Sequence, residues 1–135
     1  MSCIFTAKET NFEVDQYLER SGLVASWVWH KGEPRSARVS ASDILETSGL
    51  SVVLSEAEFL NPEQQLRDAT EFLDRFAEAL KLLAEFQGVQ DAVLDFGIED
   101  RDTGAQADYF PPRLLQLAGT LNVGLVVSRY PRNGS

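Results

Sequence analysis

"NPEQQLRDATEFLDRFAEALKLLAEFQG", residues 61–88, places Leu66, Ala69, Leu73, Phe76, Leu80 and Leu83 at alternating three- and four-residue spacing, the period of one helix face. Asn61 can accept a bond from an exposed amide, Pro62 has the φ suited to a first helical position, and Gln64 completes a capping-box variant. Gly88 is placed to stop the helix. At about 1.5 Å per residue the element runs roughly 35–40 Å, long enough to cross a small sheet. Phe72 and Phe86 widen the stripe beyond a coiled-coil seam, so the helix is predicted to pack on a sheet.

The flanking segments supply the sheet. Downstream, "DAVLDFGIE", Asp91 to Glu99, alternates Ala92, Leu94, Phe96 and Ile98 against Val93, Asp95 and Gly97, a strand with one buried face. A helix from Pro111 and Pro112 presents Leu114, Leu115, Leu117, Ala118 and Leu121, and "VGLVVSRY", Val123 to Tyr130, reads as a last strand. Upstream, "CIFTA" (Cys3–Ala7), "LVASWVW" (Leu23–Trp29) and "GLSVVLS" (Gly49–Ser55) read as strands. A short helix carrying Val14, Tyr17 and Leu18 on one face is stopped by Gly22. Ser36 to Ser48 is polar and reads as a loop with room for one helical turn.

The order predicts an α+β fold: a single, largely antiparallel sheet with helices packed on one face, in a ferredoxin-like βαββαβ order plus a C-terminal αβ unit. Residues 1–131 read as one domain and 132–135 as a frayed tail.

Composition narrows function. The 135 residues carry a formal net charge of −9 and a sequence pI near 4.5, which argues against a phosphate-backbone binder and for a basic partner. No apolar run approaches the ~20 residues of a membrane span, and the start lacks a basic n-region followed by an apolar stretch. Cys3 is the one cysteine; with no zinc spacing and no intrachain bridge available, a cytoplasmic setting and no cofactor are expected.

The most distinctive local feature is "SWVWHKGEPRSAR", Ser26 to Arg38, which gathers both tryptophans and the chain's single histidine. Trp27 and Trp29 share a strand face, and one or both are expected to fill the core beneath the long helix. The functional alternative is a corner in which Trp29, His30, Lys31, Glu33 and Arg35 meet a ligand or partner by charge and cation–π contact, with Gly32 allowing close backbone approach. Glu99, Asp100, Asp102 and Asp108 offer oxygen ligands, but a calcium loop's remaining ligands are missing and no metal is expected. Asp95 is a strand carboxylate that burial would make an acid/base candidate. No nucleophile elbow, zinc helix, phosphate loop or dinucleotide fingerprint occurs, and no catalytic residue is assigned.

"VDQYLERSGL", then "WVWHKGEPR", then "FPPRLLQLAGTLNVGLVVSRY" resembles bacterial domain-of-unknown-function family 4279. Leu18, Trp29, Lys31, Gly32, Glu33 and Pro34, then Leu114, Leu115, Leu117 and Tyr130, carry the resemblance. Where members of that family often open a strand with a tryptophan, this chain reads "SGLSVVLS". That family has no established activity or catalytic residues, so the resemblance carries no chemistry over to this chain; some small acidic relatives look like bacterial immunity proteins. A non-catalytic interaction module with a basic protein partner is therefore the leading expectation. A small-molecule-binding protein or minor enzyme using the Trp29–Arg35 corner is the alternative, and a homodimer through a sheet edge fits either.

Overall fold

The computed structural model describes residues 3–34, 44–56, 61–86, 91–100 and 104–131. Its elements are β1 (Cys3–Glu9), α1 (Val14–Ser21), β2 (Trp27–Trp29), β3 (Ser48–Ser55), α2 (Pro62–Arg75), α3 (Ala77–Leu83), β4 (Asp91–Glu99), α4 (Pro112–Thr120) and β5 (Gly124–Tyr130). The fold is α+β, with one mixed sheet in the order β2-β3-β1-β4-β5.

Three pairings are antiparallel: β2 with β3, β3 with β1, and β1 with β4. The fourth, β4 with β5, is parallel, so the expectation of a largely antiparallel sheet holds only for the first four strands. The cause is the connection: a strand that returns through a helix such as α4 comes back in the same direction as its neighbour.

One face of the sheet is buried. Phe5 and Ala7 of β1, Leu50 of β3, and Ala92, Leu94, Phe96 and Ile98 of β4 join a single core with residues from all four helices. Phe5 meets Phe72 of α2 with ring centroids 5.6 Å apart, and Tyr17 of α1 meets Phe86 edge-on at 5.4 Å. Fully burying a side chain of this size contributes about 1.5–3 kcal/mol, so these residues dominate the drive to fold.

Asn61 caps α2 as expected, its Oδ1 accepting the Gln64 amide at 3.3 Å. The long helix is nevertheless interrupted at Phe76, whose φ of −106° and ψ of 24° divide α2 from α3. The hydrogen bonds from Phe76 N–H to Phe72 and from Leu80 N–H to Phe76 carry on through the break. Beyond it α3 is tethered to α1, the Tyr17 hydroxyl donating to the Ala79 carbonyl at 2.8 Å. The helix ends at Leu83 with turns through Phe86, and Gly88 lies outside the described residues.

β2 is shorter than its composition implies. Gly22 closes α1 in the left-handed region at φ 73°, and Leu23 turns into the core. Ser26 then replaces ladder pairing with its own bonds: its N–H donates to the Ser51 carbonyl and its Oγ accepts from the Val53 amide. At the other end of the chain, Asn122 takes φ 60° between α4 and β5, a conformation asparagine tolerates better than most residues. Residues 36–43 of the expected loop and the tail at 132–135 lie outside the described residues.

Candidate functional site

The end of β2 sends its side chains two ways. Trp29 projects to the face opposite the core and lies over Gly49 of β3, its indole N–H donating to Thr47 Oγ1 at 3.2 Å. A Cβ built on Gly49 would fall 2.4 Å from Trp29 Cζ2, so glycine is what lets the ring lie flat on the strand. Trp29 is half-buried and Trp27 is 48% exposed. Neither fills the core, which corrects the expectation: their register opposite Gly49 and Ser51 puts them on the face that no described helix covers.

His30, next in the chain, points to the helix side and meets two carboxylates. Its Nδ1 lies 2.6 Å from Glu33 Oε1 and its Nε2 2.8 Å from Asp15 Oδ2 of α1. Only a doubly protonated imidazolium can donate to both. The bonds to Asp15 and then Glu33 raise its pKa above the ordinary 6.5, and both carboxylates favour the charged form. His30 is thus a clasp between α1 and the turn after β2, with both ring nitrogens engaged. The Lys31 amide donates to Ser48 Oγ at 2.9 Å, and Lys31 borders a cavity of about 290 Å³ shared with Glu13 and Asp15. Arg35 lies outside the described residues; of the other four, His30 and Glu33 are joined, while Trp29 lies on the opposite face of the sheet.

The larger feature is the helix-free face itself. Pairing register places Trp27, Ser51, Thr6 and Val93 in one row across it, and Val53, Ile4, Asp95 and Val126 in another. Thr6 and Ser51 join through their hydroxyls at 3.1 Å, and Ser128 donates to Asp95 at 2.7 Å. Along β4, Asp91, Asp95 and Glu99 all point to this face, about 13 Å apart at each four-residue step. Lys8 is the cation beside them, 4.0 Å from Asp91 and worth little at that exposure. Val126 and Tyr130 of β5 complete the face, 40% and 45% exposed. Exposed aromatic and aliphatic groups beside a row of carboxylates make a surface suited to a basic segment.

This face was partly visible in the sequence. The spacing of Asp91, Asp95 and Glu99 at multiples of two puts them on one strand face, opposite Leu94 and Phe96. Treating Asp95 as a lone buried acid hides that row; it is half-buried and bonded to Ser128.

A groove of about 1050 Å³ runs between α2 and residues 107–111, floored by Leu66, Phe96, Ile98 and Phe110. Its rim mixes charges, with Arg113 held by Asp74 at 3.0 Å. Asp100 accepts two bonds from Arg129, and Asp108 accepts from Gln106. Asp102 lies outside the described residues, and among those described no group of three acidic, histidine or cysteine side chains is arranged to hold a metal ion. Nor, among them, is any helix long and apolar enough to cross a membrane.

Cys3 is fully buried, and burial, with Asp95 and Asp68 nearby, pushes its thiol up to about 12. No family model, curated protein or solved structure matches this chain.

Proposed function

We propose that this protein is a non-catalytic interaction module that docks a basic protein on the helix-free face of its sheet. The observation that carries it is the joint placement of exposed Trp27, half-buried Trp29 and the Asp91–Asp95–Glu99 row on one face, which no described helix covers, of a chain of net charge −9. Aromatic rings present a negative face to cations, and carboxylates steer a positively charged partner toward them. The first four strands, in the order β2-β3-β1-β4, are read as a ferredoxin-like split unit extended by α4 and β5. The resemblance to domain-of-unknown-function family 4279 belongs to the same proposal, with a cationic toxin as the partner an immunity-type protein would take. The setting proposed is a reducing cytoplasm, where Cys3 stays a thiol.

The groove beside α2 favours a second reading, a small-molecule-binding protein, since its volume is at the upper end of ligand pockets. Titrating a short arginine- and lysine-rich peptide into the protein at low salt, with NMR detection, separates the two. Shifts centred on the indole signals of Trp27 and Trp29 and on β4 support docking on the sheet. Shifts confined to α2 and residues 107–111, or none at any ratio, oppose it.

A further inference from the structure

Among the described residues β5 pairs only with β4 and forms one edge of the sheet. The opposite edge strand, β2, has three residues; β5 has seven. Natural sheets blunt free edges with short strands, prolines, bulges or charges, because unpaired backbone recruits other strands. Along its length β5 has neither proline nor carboxylate, and its one cation, Arg129, donates to Asp100 Oδ1 at 3.0 and 2.7 Å. Val126, Val127 and Tyr130 stay 40–45% exposed on it.

The backbone sets a pairing register. The Tyr130 carbonyl accepts from the Asp100 amide at 2.9 Å, so the main-chain groups of Tyr130 face β4. Two-residue alternation turns those of Ser128 and Val126 the same way and leaves Leu125, Val127 and Arg129 facing outward. These three are centred on Val127. A second copy placed antiparallel about a two-fold axis at Val127 pairs Leu125 with its Arg129, Val127 with its Val127, and Arg129 with its Leu125. Every outward group is then used, in about six hydrogen bonds.

The side chains agree with that register. Val127 meets its twin on the helix side, Val126 faces Ser128 on the other, and Tyr130 falls opposite Gly124. A Cβ on Gly124 would touch nothing nearer than Val93 Cγ1 at 3.5 Å, leaving space for a ring to lie there, an aromatic-over-glycine pair common on sheets. We propose that β5 is a homodimer interface, two copies joining edge to edge in this register to make one continuous sheet.

The test is the oligomeric state of the full chain by sedimentation velocity over a concentration series. A dimer is expected, tightened by added salt, because salt screens the repulsion between two chains of net charge −9 while the joining edge is itself neutralised. This is opposite to the salt response of a charge-steered basic partner, so the two proposals fail separately. Val127→Pro removes an amide that β4 does not use and should give a monomer with unchanged circular dichroism. Val127→Lys sets like charges face to face and should weaken self-association on the order of ten-fold or more; should Val127→Pro not fold, this variant decides. A parent chain monomeric at every concentration, or a Val127→Lys chain that dimerises as the parent does, overturns the proposal.

Discussion

Replacing Gly49 by alanine tests the seating of Trp29 most sharply. The new Cβ would fall 2.4 and 2.8 Å from Trp29 Cζ2 and Cε2 and 2.7 Å from the Ala7 carbonyl oxygen. The indole can swing outward. The carbonyl belongs to β1 at the centre of the sheet and cannot yield cheaply, so the cost sits toward the upper part of the range for overpacking, about 2–3 kcal/mol. Lost freedom in the unfolded chain returns about 0.5–1 kcal/mol, leaving a net destabilisation of about 1–2.5 kcal/mol. With an unfolding entropy of about 2.1 cal/mol/K per residue, Gly49→Ala should lower Tm by about 4–9 °C. Thermal unfolding by circular dichroism reads the loss, and tryptophan emission reads the displaced ring as a red shift. The double variant Gly49→Ala/Trp29→Ala should stay below Trp29→Ala alone, because the clash with Ala7 remains. A Gly49→Ala protein as stable as the parent, with unchanged emission, would refute the placement of Trp29 on β3.

The His30 clasp has a defined pH signature. Its pKa is raised in the folded state, so its stabilising contribution is complete below the unfolded value of about 6.5 and is lost as pH rises through the higher folded value. His30→Gln should flatten the Tm-versus-pH profile across that window, and an unchanged slope would contradict the clasp. Cys3 should resist alkylation near neutral pH in the native protein and react readily once unfolded, as measured by mass spectrometry. Tyr17→Phe leaves the Ala79 carbonyl without its hydroxyl donor and should cost about 1 kcal/mol by chemical denaturation, with the core otherwise intact.

Where burial imposes a period, the sequence was a good guide. β4 is legible to its boundaries because one face meets the core, so Ala92, Leu94, Phe96 and Ile98 must alternate with residues that do not. The break at Phe76 was hidden: Arg75, Phe76 and Ala77 hold neither glycine nor proline, and the apolar stripe runs through them without a gap. The direction of β5 was legible in principle, since a helical connection between neighbouring strands makes them parallel. The tryptophans were harder. Sequence alternation shows that Trp27 and Trp29 share a face, but only pairing with β3 decides which, and hydrophobicity alone argues for the wrong one. The His30 clasp joins residues fifteen apart across two elements, which no local pattern announces.

The docking face is tested most directly by capture from native lysate with the purified chain and with its Trp27→Ala/Asp91→Asn/Glu99→Gln variant side by side, at low and high salt. The expected result is a basic protein held stoichiometrically by the parent, released by salt and not held by the variant, while both chains show the same circular dichroism. The same proteins recovered with both chains, or no stoichiometric partner with the parent at low salt, would contradict docking on the helix-free face.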